Sequence, residues 1–240
     1  AVTLPEKFET VGTCAFCSAD KLARIDLGGT ISLGGSAFES TSAKEGVNFR
    51  PELKRLTTIG DFAFSRTAQS SVTLPDSVTT VGEQAFSEST ALTSFHIGAG
   101  VTSFAETALY NDRKIATLTV ADGNPVYSAE HNVLYRKAED GLHLMLSPAA
   151  NTLTDYTVRA GTVEIGATAF ANNKTLTRVV LPEGLTTIDY GAFYGCTSLT
   201  DMAIPESVDT ARGVVNTGLD TVEFGSQMRE ISMTAREYRM

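Results

Sequence analysis

A short phrase returns along this chain: a small aliphatic residue, Gly, two variable residues, then Ala-Phe. It reads Val11-Gly12-Thr13-Cys14-Ala15-Phe16, Ile59-Gly60-Asp61-Phe62-Ala63-Phe64, Val81-Gly82-Glu83-Gln84-Ala85-Phe86 and Ile165-Gly166-Ala167-Thr168-Ala169-Phe170. Variants run from Leu33 to Phe38, Phe104 to Leu109 and Ile188 to Phe193. A unit this short has no interior of its own, so the chain must fold by stacking copies of it. Residues that resemble a motif must therefore first be asked whether they only hold the stack together.

Counting from Leu74, apolar residues fall at Val78, Val81, Ala85-Phe86, Leu92, Phe95 and Ile97. Ile97 starts the same series again through Val101, Phe104, Ala108-Leu109, Ile115, Leu118 and Val120, and series from Leu4 and Leu181 match it. Each unit ends on an apolar–x–apolar pair, such as Ile25/Leu27, Val47/Phe49, Phe95/Ile97, Tyr156/Val158, Met202/Ile204 and Val222/Phe224. Period-two alternation reads as a short strand with one face buried, and strands from equivalent points should stack in parallel about 4.8 Å apart. Pro5, Pro75, Pro182 and Pro205 follow such pairs directly and stop the ladder, because proline lacks an N–H. The Ala-Phe stretch is too short for a crossover helix and is expected to form a single helical or 3₁₀ turn. The Gly before it is expected to supply a tight backbone turn.

The array has defects. The unit from Leu27 is a residue short, and the one from Phe49 carries an insertion near Arg55-Leu56-Thr57. Val120 and Val158 lie 38 residues apart, so the period fails across 121–155. There, Val133 to Lys137 and Leu142 to Leu146 flank Asp140-Gly141 and read as a hairpin replacing one coil. Across 205–240 the code decays, with Val215-Asn216 in place of Ala-Phe before Phe224, Met228, Ile231 and Ala235 recover the spacing.

With 42% hydrophobic and 20% charged residues the chain reads as folded, and no apolar run approaches a membrane span. Its net charge of −9 opposes binding to nucleic acid, which is carried by Lys and Arg clusters. Three cysteines make a disulfide framework an unfavoured reading. The chain opens inside the repeat phrase, with neither an initiator Met nor a signal-peptide pattern, and reads as a trimmed piece of a longer protein.

The phrase Leu181-Pro182-Glu183-Gly184-Leu185-Thr186-Thr187-Ile188, followed by Ala192-Phe193-Tyr194-Gly195-Cys196-Thr197-Ser198-Leu199-Thr200, resembles the BspA-like leucine-rich repeats. The segment from Asn124-Pro125-Val126-Tyr127 through Asn132-Val133-Leu134-Tyr135 is also similar to an element common in that family. The resemblance covers essentially the whole chain; Asp189 in place of Gly and Leu109 in place of Phe depart from it. It implies a curved solenoid from secreted or surface-attached proteins of host-associated bacteria and some protozoan parasites, linked to adhesion and protein binding. It carries no shared catalytic residues.

Other candidates reduce to columns of the repeat. Cys14-Ala15-Phe16-Cys17 has redox and metal spacing, but its middle residues are the core Ala-Phe, so packing is preferred over a thiol switch. Cys196 shares its offset with Ala19, Thr41, Thr67, Ser89, Asp112 and Asn173, a small polar column that reads as a ladder satisfying turn backbone. Gly28-Gly29 and Gly34-Gly35 lack the Lys-Ser/Thr and long helix of a phosphate cradle. His96, His131 and His143 show no second ligand at metal spacing, and Asn173-Lys174-Thr175 is a glycosylation sequon by pattern only.

What remains is the outward face of the strands, with columns Asp26, Asn48, Thr73, His96, Thr119, Thr157, Val180, Ala203 and Glu223, and Arg24, Gly46, Ser71, Ser94, Thr117, Asp155, Arg178, Asp201 and Thr221. The expectation is one α/β, β-rich leucine-rich-repeat solenoid over 1–240, right-handed, of about nine coils. Parallel strands should line one face and short helical or 3₁₀ turns the other. The expected role is a non-enzymatic, extracellular or cell-surface protein-interaction or adhesion module. It would bind host-matrix or bacterial surface proteins, with no cofactor, metal, nucleic acid or membrane insertion. Arg24, Asp26, His96, Arg178 and Asp201 are the candidate binding residues. The alternatives are a structural spacer, or a glycan-binding module that would gather Tyr127, Tyr135 or Tyr194 on one surface.

Overall fold

The computed structural model describes residues 1–43, 47–48, 55–214, 216–222, 224–226 and 228–231. Gly46, Phe49, Val215, Glu223 and Ala235, named above, lie outside the described residues. The chain divides into two units, Ala1–Ser128 and Ala129–Met240.

In the first unit, parallel ladders run Val2–Thr3, Ile25–Asp26, Val47–Asn48 and Ser71–Thr73, Ser94–Ile97, Thr117–Val120. Their register joins like positions: Thr73 to His96 and His96 to Thr119. Phe95, Ile97 and Leu118 point inward and are at most 1% exposed, as the alternation requires. A second ladder comes from the residues just before each Gly: Thr10–Val11, Ser32–Leu33, Thr58–Ile59, Thr80–Val81 and Ser103–Phe104. Strands two residues long leave no alternation to read, so the sequence reveals them only as one buried apolar residue.

The Ala-Phe turn departs from expectation. Among the described residues no helix forms there, and the architecture is a β-rich solenoid of strands and turns. Two left-handed residues, four apart, frame each Ala-Phe. They are Cys14 and Ser18 (φ 56° and 57°), Ser36 and Ser40 (55° and 57°), Phe62 and Arg66 (57° and 57°), Gln84 and Glu88 (51° and 56°), Thr168 and Asn172 (56° and 63°), and Gly191 and Gly195 (62° and 73°). This backbone sends alternate N–H groups in two directions. Phe38 N–H donates to Ala63 of the next coil (2.8 Å) and Phe64 N–H to Ala85 (2.7 Å), while Ala63 N–H bonds back to Gly60 (3.2 Å). A 3₁₀ helix would direct every N–H inside its own coil. The stack takes half of them for bonding between coils.

The glycines also serve a different purpose from the one expected. Gly34, Gly60 and Gly82 are not in the left-handed region; a Cβ at Gly60 would stand 2.7 Å from the Leu33 carbonyl oxygen and 2.8 Å from the Gly34 carbonyl carbon. They permit close approach of consecutive coils, and the variable residue two positions later makes the turn.

Stacked phenyl rings fill the space beside these turns. Phe16, Phe38, Phe64 and Phe86 follow one another at 5.1, 5.4 and 5.4 Å between ring centroids. Each such pair contributes about 0.5–1.5 kcal/mol beyond area burial. In the second unit Phe170 and Phe193 repeat the arrangement at 5.1 Å within a core that includes Val179, Leu181, Ile188 and Leu199.

The irregular segment holds the hairpin. Val133–Lys137 pairs antiparallel with Leu142–Leu146 across a turn whose Gly141 has φ 147°. Leu142–Leu146 then pairs in parallel with Thr162–Ile165, and the ladder continues through Thr187–Ile188 and Thr210–Ala211 to Glu230–Ile231. The eroded last coils thus keep this one ladder without Ala-Phe, whereas the ladder of Asp155–Thr157 and Arg178–Val180 ends, among the described residues, at Asp201–Met202, with no strand at Val222 or Phe224.

Candidate functional site

In the second unit the strands Asp155–Thr157, Arg178–Val180 and Asp201–Met202 lie side by side in parallel register. One residue from each faces outward at the same level: Asp155, Arg178 and Asp201. Because Arg178 occupies the middle strand, its guanidinium reaches both neighbours, with Nη1 3.4 Å from Asp155 and Nε 3.0 Å from Asp201. All three are exposed. Such exposed pairs contribute little stability.

A groove of about 390 Å³ opens beside this row. Val180, Ala203, Ile204 and Pro205 form its apolar part, and Arg178, Asp201, Glu183 and Glu206 its charged part. The alternation of the strands turns Val180 and Ala203 outward while Val179 and Met202 enter the core. Glu206 also accepts the Ser226 N–H at 2.9 Å, which ties it to the following coil. Glu183 is exposed and has no hydrogen bond or ion pair among the described residues. The groove therefore offers aliphatic contact beside a surplus of carboxylates.

The other candidates are dispersed through the first unit. Arg24 is exposed just before Ile25–Asp26. Asp26 is only 7% exposed, and its carboxylate accepts the Gly28 N–H at 3.2 Å, so it holds a turn and offers no surface. His96 is half-buried and its Nδ1 lies 2.8 Å from the Thr119 hydroxyl in the adjacent strand. Arg24 precedes a strand of one ladder and His96 lies within another. Only Arg178 and Asp201 meet.

Burial takes two of the three candidate platform tyrosines out of reach. Tyr127 and Tyr135 are 4% and 0% exposed. The Tyr135 hydroxyl is 2.6 Å from that of Tyr156, and the Arg159 guanidinium lies 5.2 Å over the Tyr135 ring. Burial raises both phenols above the ordinary tyrosine range. This is a cross-braced core, and with Tyr194 half-buried the three tyrosines do not gather as exposed rings on one surface. Asn173 is 0% exposed and its side-chain oxygen accepts the Leu176 N–H, so the sequon is not an accessible one.

Two groupings were not legible in the sequence. His143 on the hairpin has Nε2 2.9 Å from Asp140 and Nδ1 3.1 Å from Glu164 and 2.9 Å from Arg136 Nη2. Asp140 and Arg136 are its hairpin neighbours, but Glu164 comes from the next coil, which a spacing rule does not reveal. Among the described residues no group of three or more His, Cys, Asp or Glu comes together as a metal site. The second is a correction: Cys14 and Cys17 form a disulfide, so the C-x-x-C spacing reflects a covalent bond and not packing alone. The polar column does bond turn backbone, with Thr67 Oγ1 donating to Phe64 at 2.9 Å and Cys196 Sγ to Phe170 at 3.0 Å. Burial pushes the Cys196 thiol up to about 12, so it is unreactive in place.

Comparison with known proteins agrees with this architecture. A sequence profile of the BspA type leucine rich repeat region, in 6 copies, matches residues 1–116, 57–136 and 149–238. No curated protein matches the sequence. A leucine-rich repeat protein from Eubacterium ventriosum is similar at TM-score 0.74 and 24% identity, covering 94% of this chain and 63% of its own. The pneumococcal vaccine antigen PcpA is similar at TM-score 0.66 and 19% identity, over 82% of this chain and 60% of its own. A leucine rich cell surface protein from Faecalibacterium prausnitzii gives TM-score 0.65 and 22% identity, over 96% of this chain and 72% of its own. The chain thus spans about three fifths of the first two, and at these identities the likeness is one of fold. Profile, strand ladders and phenyl stack agree: the chain belongs to the BspA-type leucine-rich repeat family.

Proposed function

We propose that the chain is a non-enzymatic protein-interaction or adhesion module of a bacterial cell-surface or secreted protein, forming one solenoid. The observation that carries this reading is the groove beside Asp155, Arg178 and Asp201, where aliphatic surface and charge stand together on a strand face. Three paired strands hold these positions in register, so a partner meets a backbone already in place and loses less free energy in ordering it. Family membership supports the reading, as do a cell surface protein and a vaccine antigen among the proteins of like fold.

The test is a binding screen of the immobilised, folded chain against host-matrix and bacterial surface proteins, repeated with Arg178→Glu and Asp201→Lys. A partner whose affinity falls roughly tenfold or more in either variant supports the groove as the contact surface. Partners bound equally by both variants would exclude the groove. A screen without partners would favour a spacer that carries another domain.

A further inference from the structure

We infer that Cys14 and Cys17 form a reversible dithiol–disulfide site that exchanges electrons with an external dithiol while the coil keeps its shape. The two cysteines occupy the left-handed residue before Ala15-Phe16 and the residue after it, with Cα atoms 4.7 Å apart. That separation is within the range a disulfide needs. The backbone there does not depend on the bond. Ser36 and Ser40 frame the next turn at φ 55° and 57°, against 56° and 57° for Cys14 and Ser18, and that turn has no cross-link. The short bond inside the turn is also common to both, Cys17 N–H to Cys14 at 3.3 Å and Glu39 N–H to Ser36 at 3.1 Å.

Three hydrogen bonds to the second coil hold the turn from outside. Cys14 N–H donates to Gly35 at 2.9 Å, Phe16 N–H to Ala37 at 2.8 Å and Ser18 N–H to Glu39 at 2.7 Å. The Phe16 ring stacks on Phe38 at 5.1 Å. Breaking the sulfur–sulfur bond removes none of these. The reduced thiols therefore stay where the bond can reform, and the array needs no refolding in either direction.

Access differs between the two sulfur-bearing residues: Cys14 is exposed and Cys17 half-buried. A thiolate of the dithiol attacks Cys14 Sγ, forming a mixed disulfide and releasing Cys17 as thiolate. The second thiol of the dithiol then attacks its own sulfur in the mixed disulfide and releases Cys14 as thiolate. The dithiol leaves as a disulfide, and Cys14 and Cys17 have gained two electrons; their thiolates take protons from solvent. Run backwards, the same steps oxidise the pair.

The experiment is titration of the whole chain with dithiothreitol under native conditions, trapping with N-ethylmaleimide and mass analysis. Circular dichroism and thermal melting are followed in parallel. The expected result is two added maleimides, on Cys14 and Cys17, with the spectrum kept and the melting midpoint within about 2 °C of the oxidised chain. Cys196 stays unmodified and reports that the second unit has not opened. In Cys17→Ser, the remaining Cys14 forms a mixed disulfide with oxidised glutathione roughly tenfold faster than Cys17 does in Cys14→Ser. A bond reduced only after unfolding, a midpoint that falls by more than about 5 °C on reduction, or equal capture rates in the two variants would overturn the inference.

Discussion

Thr168 is held at φ 56° on the surface of the second unit, a conformation that a β-branched residue adopts only under constraint. The equivalent place in the following coil is Gly191 at φ 62°. Replacing Thr168 by Gly should therefore stabilise the array by about 1 kcal/mol, read as a higher denaturant midpoint. Asp112 is under a different constraint. It is 6% exposed, one carboxylate oxygen accepts the Ser89 N–H at 2.7 Å, and the other has no hydrogen-bond partner among the described residues. Burial, with a smaller contribution from the Glu88 charge, raises its carboxyl to about 8. Because the folded value lies above the unfolded one, this group favours the fold at low pH. The contribution is lost as pH rises from about 4 through about 8. Between pH 5 and pH 8 the loss should be about 3 kcal/mol, and Asp112→Asn should flatten the slope. Melting both proteins across that range checks the expectation.

At the scale of the coil, the glycine column and the Ala-Phe turn divide work in a way the sequence alone did not disclose. Repetition of Gly announced that something there tolerates no side chain, but not whether the reason was backbone torsion or proximity. The answer lies in the neighbouring coil, which is 26 residues away for Gly34 and Gly60. Gly60→Ala should cost about 2 kcal/mol, because backbone atoms of the previous coil lie under 3.0 Å from the new methyl group. Gly12→Ala, with nothing within 4 Å, should be neutral or slightly stabilising. Chemical denaturation of the two variants separates proximity from torsion. The long strands, the prolines and the hairpin were legible because alternation and Asp-Gly are local signals. The second ladder and the left-handed pairs were not, since Cys, Ser, Phe, Gln and Thr occupy a position that torsion rules reserve for Gly or Asn.

For the molecule as a whole, the repeat was legible outside 121–155 and the decayed stretch 205–240, and the candidate site only in part. Alignment of the strands placed Arg178 and Asp201 in one column, and the structure joins them; it also placed Asp26 outward, where a turn hydrogen bond and burial remove it from use. Facing direction follows from period two, but exposure depends on what the next turn does with the side chain. The Cys14–Cys17 bond shows the same limit, since repeat alignment explained the intervening Ala-Phe and concealed the pairing of the flanking sulfurs.

The coils are bonded to one another through the Ala-Phe turn. Scalar coupling across hydrogen bonds, measured by NMR on the labelled chain, tests this bond by bond. The amide nitrogen of Phe64 should couple to the carbonyl carbon of Ala85 in the next coil, as Phe38 should to Ala63. Coupling of Phe64 to Asp61 within its own coil would mean a 3₁₀ turn and would contradict bonding between coils.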